Sequence, residues 1–371
     1  MPVPTSTFIA RRSSSFNVFK NPKEHRRYLI RSVSLRQSSV FHRTRCDAHT
    51  TSLSLLTILP VELLDLIIEF SLQPVHSFAS VAGFSLASRP FRQIALRHYF
   101  SLFHVCTAER WRKATSVIPQ VTSWARILEA SADALLCSLQ TLRDFRSLRI
   151  VHLSFFGQNI VSQHKCVNLL ISSLPSNLHE LSLTDVAAII VLMLSRIGTK
   201  FPLLTSLEIS CPEWLAESCC WSCIDPTVAC PIPDVFPTTS ALVNALIRLL
   251  KPLTHLQHLQ LGFFLPPDDV EPDELLSEHF DHALEEGEDL DGPFFCGVCE
   301  DLYSPSVALA ELQASVGLAQ AFKQLKSVRF SSFFQKSGAC ERKTTIWISR
   351  VDGWIKVRRG PWYLHNLPLV P

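Results

Sequence analysis

Leu178-His179-Glu180-Leu181-Ser182-Leu183 is a six-residue stretch with leucine at its first, fourth and sixth positions. Its second half alternates apolar and polar residues, which is the period of a β-strand with one buried face. Four other stretches after residue 145 repeat this spacing of apolar residues. They are Leu148/Val151/Leu153, Leu204/Leu207/Ile209, Leu256/Leu259/Leu261 and Leu325/Val328/Phe330. The sequence therefore predicts five short strands, each with one apolar face.

Helix-like apolar stretches lie between these strands, at Val167 to Leu174, Val186 to Leu194 and Ala241 to Leu250. Measured at the last apolar position, the strands are 30, 26, 52 and 69 residues apart. Because 52 is twice 26, we expect one degenerate or replaced repeat between the third and fourth strands. A strand and a helix in about 20 to 29 residues resemble the leucine-rich repeat. The Asn or Cys that usually follows the third leucine is missing, so we expect an irregular solenoid, with another mixed α/β domain as the alternative.

The polar positions that alternate with the buried ones would form a second face if the strands stack side by side. Such a small, polar face suits a protein surface better than a hydrophobic small molecule, although it is equally typical of a solvated sheet. Arg329 is the one cation that we expect there, which argues against a phosphate-reading site. The residues that we predict to contact a protein substrate are His152, Glu180, Ser182, Glu208, His258, Gln260 and Arg329.

An amphipathic helix is predicted upstream, over Leu59 to Phe70. Pro60 is suited to the first turn of a helix, and the negative charge of Glu62 interacts favourably with the positive end of the helix dipole. The acidic residues Glu62, Asp65 and Glu69 form one stripe, and the rest of the circumference is apolar. This apolar region is wider than one buried face needs. We therefore expect two sides of the helix to be covered, one of them by a partner or by the rest of the chain.

Two further short helices are predicted, Phe78 to Ala87 and Phe91 to His98. The stretch Leu59-Pro60-Val61-Glu62-Leu63-Leu64-x-x-Ile67-Ile68-x-Phe70, followed by Phe84-Ser85-Leu86-Ala87-Ser88-Arg89-Pro90-Phe91-Arg92-Gln93-Ile94-Ala95, resembles an F-box. It is similar to the F-box proteins common in mushroom-forming fungi, in which a leucine-rich-repeat-like region follows the motif. The likeness covers roughly residues 57 to 98.

The resemblance implies a docking function. In that family the motif binds the Skp adaptor of a cullin–RING ubiquitin ligase, and the remaining chain holds the substrate. The residues that it places against the adaptor are Leu59, Pro60, Leu63, Leu64, Ile67 and Ile68. It also implies that Phe84, Leu86, Phe91 and Ile94 complete the small helical core.

The expected organisation follows from these patterns. We expect a disordered basic arm over 1–52, a three-helix F-box domain over 53–98 and an irregular leucine-rich-repeat-like α/β domain over 99–371. The last of these would hold an acidic insertion at 266–293 and a C-terminal strand cap at 344–364. The arm carries ten Lys/Arg against two acids in residues 1 to 50. We interpret it as a solvated tail, although transit peptides and nuclear-import patches have similar compositions.

The composition excludes several classes of protein. The chain has 371 residues, of which 47% are hydrophobic and 18% charged, so it is rich enough in apolar residues to fill a core. The longest apolar stretch, Val186 to Leu194, is far shorter than the roughly 20 residues that cross a bilayer, and we expect no membrane association. The Walker A, GxGxxG, GxSxG and HExxH motifs are missing from the sequence, so we predict no enzyme, no catalytic residue and no cofactor.

Twelve cysteines occur in the chain, and we expect reduced thiols in the cytosol or nucleus because the chain is long and opens without an apolar signal core. The pairs Cys220/Cys223 and Cys296/Cys299 have the spacing of zinc ligands. However, 72 residues separate the pairs, and other cysteines near them fit no second pair. We therefore assign no metal and discount redox catalysis.

The tail from Thr345 to Arg359 alternates around Asp352-Gly353, which predicts a hairpin. Tryptophans and cations in and just after this tail are residue types that can stack on nucleobases. They are Trp347, Trp354, Trp362, Arg350, Lys356, Arg358 and Arg359. We prefer the interpretation of a cap on the open edge of the repeats and expect no nucleic acid. The sequence thus predicts a substrate-recognition adaptor of a Skp–cullin–F-box ligase, with a ligase-independent protein-binding or nuclear scaffold as the alternative.

Overall fold

The computed structural model describes residues 59–72, 76–156, 158, 160–186, 189, 191–210, 231–232, 235–266, 297–331 and 343–360. Residues 58–371 form one compact unit. The predicted arm at 1–52 lies outside the described residues, as does nearly all of the acidic insertion. Within the described ranges the chain has eleven helices and nine strands, so the expected mixture of helices and strands is confirmed.

Three helices begin the described chain: α1 Val61–Leu72, α2 Phe78–Ala87 and α3 Arg89–Tyr99. The serine hydroxyls before α2 and α3 cap them, since Ser77 accepts a hydrogen bond from the Ala79 amide and Ser88 one from the Phe91 amide. The helices share a small core of their own. It consists of Ile68, Leu72, Val81 and Ala95, with Phe84, Ile94 and Tyr99 packed against it. The expectation that Leu86 completes this core is wrong, because its side chain is exposed at the end of α2.

The rest of the chain builds a nine-stranded sheet whose strand order is the chain order. Strands β1 to β7 are parallel, and β8 and β9 continue the sheet in antiparallel fashion. The strands are β1 Leu102–Val105, β2 Ile127–Ser131, β3 Ile150–Ser154, β4 Glu180–Thr184, β5 Ser206–Ser210, β6 His258–Gly262, β7 Ser327–Ser331, β8 Lys343–Val351 and β9 Trp354–Gly360. The connecting helices are α4 Ala108–Val117, α5 Val121–Trp124, α6 Ala132–Leu136, α7 Leu139–Arg143, α8 Ile160–Ser173, α9 Val191–Lys200, α10 Thr239–Leu250 and α11 Gly297–Ala321.

Alternate strand residues, including those of the leucine pattern, pack with the connecting helices in one continuous core. All five strands that the spacing predicts are present as β3 to β7. The sheet has no strand from the degenerate or replaced repeat expected between the third and fourth of them, because β5 pairs directly with β6 along their whole length; residues 211–230 of that segment lie outside the described ranges. The apolar stretch from Val186 also becomes helical later than predicted, since α9 begins at Val191, after a turn at Asp185, which has a φ of 57°.

Aromatic rings connect the three N-terminal helices with the first strand. Tyr99 and Phe100 at the end of α3 contact edge to face, with ring centroids 5.1 Å apart, and Phe100 contacts Phe103 of β1 in the same manner at 6.0 Å. Phe103 then stacks on Trp111 and Phe145, which are fully buried. Because this ring series is continuous, α3 and the sheet pack as neighbours without an intervening linker.

The hairpin predicted at the C-terminal end is present as β8 and β9. Its turn places Asp352 and Gly353 at positive φ, 54° and 80°, which is the conformation of a tight hairpin turn. Arg350 fixes the hairpin to α11: its guanidinium donates to the carbonyls of Ala319, Phe322 and Leu325 at 2.7 to 2.9 Å. A cation at this place also interacts favourably with the negative end of the α11 dipole.

Candidate binding surfaces

The first candidate surface is on α1. Its side chains at Leu64, Ile68 and Leu72 are buried, the last two of them in the helical core, whereas another stripe of apolar side chains is exposed. Leu63, Leu66 and Ile67 each expose 45 to 48% of their surface and Phe70 exposes 70%. These residues are spaced i, i+3, i+4 and i+7, so they lie on one side of the helix. We call this stripe of four residues the α1 apolar face.

An ionic contact holds α1 in place on α3. Both carboxylate oxygens of Asp65 accept hydrogen bonds from Arg97 Nη2, at 2.7 and 3.0 Å, and His98 Nε2 lies 2.8 Å from Oδ1. Partial burial of Asp65 favours its neutral form. The hydrogen bonds from His98 and Arg97 outweigh that effect and lower the pKa of Asp65 below its ordinary value. The carboxylate therefore stays ionised, and the orientation of the α1 apolar face is fixed by a charged contact.

The six residues predicted to face an adaptor are divided by the structure. Leu63 and Ile67 lie on the α1 apolar face. Pro60 is exposed and Leu59 half-buried just before the helix. The remaining two, Leu64 and Ile68, expose only 5% and 1%, because the helix turns them toward α2 and α3. The sequence pattern did not separate these two stripes, since both are equally apolar; Leu66 and Phe70 were missed for the same reason.

The second candidate surface is the side of the sheet formed by the half-exposed strand residues, which we call the open face. All seven predicted substrate contacts lie on this side of the sheet by their register, although Ser182 is buried, with 2% of its surface exposed. Strand pairing brings them into lateral rows: His152, Ser182, Glu208, Gln260 and Arg329 are successive neighbours in one row, and Glu180 and His258 lie in the adjacent row. His104 and Glu129 extend the first row to β1, and Thr345 extends it to β8.

Hydrogen bonds run along this first row across five strands. Glu208 accepts from Ser182 Oγ at 2.7 Å and also from Gln260 Nε2. Arg329 continues the series by donating from Nη1 to Gln260 Oε1 and from Nε to Thr345 Oγ1, both at 3.2 Å. Lys343 Nζ lies 3.7 Å from Glu208 Oε1. The side chains are therefore held in one arrangement before any ligand binds, which lowers the entropic cost of binding.

Two further contacts involve residues of the adjacent row. His152 Nε2 lies 3.7 Å from Glu180 Oε1, and the Nδ1 atom of His258 lies 2.8 Å from Ser327 Oγ. Burial, followed by the positive charges of Lys326 and Arg329, lowers the pKa of His258. Its imidazole therefore stays neutral to lower pH than an ordinary histidine and hydrogen-bonds as a neutral group.

The hairpin changes the charge of the open face. Opposite residues of an antiparallel pair lie on the same side, so Lys343, Lys356 and Arg358 join Arg329 there. Arg329 is the one Lys or Arg on this face of β3 to β7, as expected, but the hairpin adds three more cations because β8 and β9 continue the sheet. We call these four residues the basic patch.

The cations of the disfavoured nucleobase alternative do not lie together. Lys356 and Arg358 belong to the basic patch, whereas Arg350 binds the end of α11 and Arg359 Nε donates to Glu311 Oε2 of α11 at 2.8 Å. Trp362 lies outside the described residues. The structure therefore divides this set between two sides of the hairpin.

Cys220, Cys223 and Cys296 lie outside the described residues, and Cys299 is in the first turn of α11. Among the described residues, no three metal-ligating side chains cluster, and Cys106, Cys137 and Cys166 are free thiols. In the same ranges no helix combines the length and apolar composition that a bilayer span requires.

Comparisons with known proteins add no family to this description. No protein-family model matches the chain, and no curated protein matches it. One of the two candidate surfaces is thus an apolar helical stripe, and the other is a polar, hydrogen-bonded sheet face.

Proposed function

We propose that this chain is a non-enzymatic substrate adaptor that docks on the Skp subunit of a cullin–RING ubiquitin ligase through α1 and holds a protein substrate on the open face of the sheet. The observation that carries the proposal is the α1 apolar face. It consists of four large apolar side chains in register on a helix whose opposite side is already occupied by its own core. A stripe of this kind is typical of a surface that is covered by a partner.

Covering the α1 apolar face with a partner would be energetically favourable. Removing the exposed part of each of these four side chains from water is worth about 1 kcal/mol, before the cost of association is subtracted. The helix need not rearrange to bind, because Asp65 already fixes it to Arg97 and His98. A rigid, preformed stripe keeps that cost low.

The second half of the proposal concerns positioning. The F-box-like helices and the leucine-rich-repeat-like sheet belong to one compact unit, and the aromatic series from Tyr99 to Phe145 connects them. A substrate on the open face would therefore be held at a set distance from the ligase. Such an adaptor acts by raising the local concentration of its target near the charged ubiquitin carrier, while other subunits perform the transfer.

The test is a pull-down of the full-length chain with purified Skp adaptor from the same source. The double variant Leu63→Glu/Ile67→Glu places two charges in the α1 apolar face, and we expect it to lose adaptor binding. Both positions are about half exposed, so the variant should fold. The matched control is Val117→Glu/Leu309→Glu, which changes two exposed apolar residues on α4 and α11 and should bind as the wild type does.

The outcome that contradicts the proposal is equally specific. If the wild-type chain fails to retain the adaptor, or if the Leu63/Ile67 variant retains it as well as the control does, α1 is not an adaptor-docking helix. The alternative, a ligase-independent scaffold that binds proteins through the open face, would then be favoured. Thermal unfolding of each variant identifies any loss of binding that is due to misfolding.

A further inference from the structure

The basic patch is concentrated at one end of the open face. The face positions of β7, β8 and β9 contain Arg329, Lys343, Lys356 and Arg358 and no acidic residue among those that the structure describes. On β2, β4 and β5 the same face carries Glu129, Glu180 and Glu208. The open face is therefore negatively charged toward β2 to β5 and positively charged on β7 to β9. The two regions meet where Lys343 contacts Glu208.

The cations that fix α11 are not those of the basic patch. Arg350 and Arg359 are the hairpin residues that stabilise α11. They lie on the side of the hairpin opposite the open face, at positions that alternate with those of the basic patch. Lys356 and Arg358 are exposed on the open-face side of the hairpin. An excess of one charge on a protein surface attracts groups of the opposite charge.

An exposed tryptophan lies beside these cations. Trp354 exposes 74% of its surface and is on the same face as Lys356 and Arg358, at alternate positions of β9. Tryptophan and arginine are the residue types that most often dominate the free energy of protein interfaces. The patch thus offers both a charge and an apolar anchor.

We propose that the basic patch, together with Trp354, binds an acidic, extended segment of a partner protein. The inference deepens the proposed function, on which it rests, because the segment would belong to the substrate. Complementary charge would steer the segment toward this end of the face and fix its direction, since its acidic residues are repelled by Glu208 and Glu180. A nucleic acid fits less well, because a run of phosphates longer than the patch would meet those two carboxylates.

The experiment uses the full-length chain and a synthetic probe, with no adaptor present. A fluorescently labelled peptide of about sixteen alternating glutamate and serine residues places every carboxylate on one side when it is extended. Its anisotropy is measured against protein concentration at low salt, with a glutamine–serine peptide as the neutral control probe. We expect binding of the acidic probe only, and weakening by added salt.

The variants then locate the site. Lys356→Glu/Arg358→Glu should weaken binding of the acidic probe at least about tenfold, and Trp354→Ala should weaken it as well. The matched control is Arg112→Glu/Lys113→Glu on α4, which reverses two exposed charges elsewhere and should leave the affinity unchanged. Unfolding curves check that each variant is folded.

Several outcomes would overturn the inference. These are absence of binding at low salt, equal weakening in the α4 control, and tighter binding of a single-stranded oligonucleotide with the same dependence on Lys356 and Arg358. Residues 268–291 of the chain contain twelve acids and no Lys or Arg. If the probe binds only after these acids are changed to amides, the occupant is the chain's own segment and not another protein. None of these results affects the adaptor pull-down, so the two proposals can fail separately.

Discussion

The Glu311 carboxylate of α11 is completely buried and accepts a 2.8 Å hydrogen bond from Arg359 Nε of β9. This pair joins the longest helix to the last strand of the sheet. Burial raises the pKa of Glu311, and the nearby charge and hydrogen bond of Arg359 oppose the rise without cancelling it. The folded chain therefore holds a proton on this group at pH values at which the unfolded chain has released it.

A pH dependence of stability follows from this shift. Because the folded state binds the proton more tightly, the free energy of unfolding falls as pH rises from the ordinary carboxyl pKa through the raised one. We expect Glu311→Gln to remove this loss, so that urea unfolding of the variant depends less on pH than that of the wild type. Arg359→Gln removes the opposing charge and should steepen the loss. A wild-type curve that rises over this interval while the Gln variant stays flat would contradict the assignment.

A second prediction concerns the close approach of α9 and α10. A Cβ atom built on Gly198 of α9 would overlap the carbonyl oxygen of Leu249 in α10, so only glycine fits there. Gly198→Ala should lower the free energy of unfolding by about 1 to 3 kcal/mol, because backbone must move to make room. The matched control is Gly83→Ala in α2, where nothing lies within 4 Å. That change should stabilise the protein by up to about 1 kcal/mol. Equal effects in chemical denaturation would show that the helices are less close than the structure has them.

A third prediction concerns the hydrogen-bonded row on the open face. Glu208→Ala leaves the hydroxyl of Ser182, which is 2% exposed, and the Gln260 amide without their acceptor. We expect a loss of about 1 to 3 kcal/mol in the free energy of unfolding, measured in urea. Glu208→Gln keeps one carbonyl acceptor and should lose less. Glu129→Ala, in the same row on β2, is the control; a loss there as large as at Glu208 would argue against a special role for the row.

Leucine spacing was enough to predict β3 to β7, because three apolar positions per strand must face the core. It missed β1 and β2, although they follow the same spacing in other residues. Phe100, Phe103 and Val105 occupy the equivalent places in β1, and Ala125, Leu128 and Ala130 do so in β2. Large rings and alanines fill the same core, so a search for leucine alone could not find them.

The residues of the open face were predicted more completely than those of the α1 apolar face, and the reason is physical. Alternation in a strand assigns each residue to a face, and all seven residues predicted on the open face are there. On α1 both stripes are apolar, and which one is buried depends on where α2 and α3 pack, which the sequence of α1 does not contain. The basic patch was missed because it requires the register of β7, β8 and β9, which are joined by long-range pairing.

The identity of strand order and chain order has a consequence for how the chain could change in length. Every strand pairs with the strands next to it in sequence, so an insertion between two of them lengthens one loop and alters no register. The entropy of closing a loop grows only with the logarithm of its length, about 0.6 kcal/mol for each doubling. The segments between β5 and β6 and between β6 and β7 are the longest connections in the sheet, and both join strands that remain in direct contact. Those two connections are therefore places where new sequence can be acquired at low cost while the face beside them keeps its arrangement.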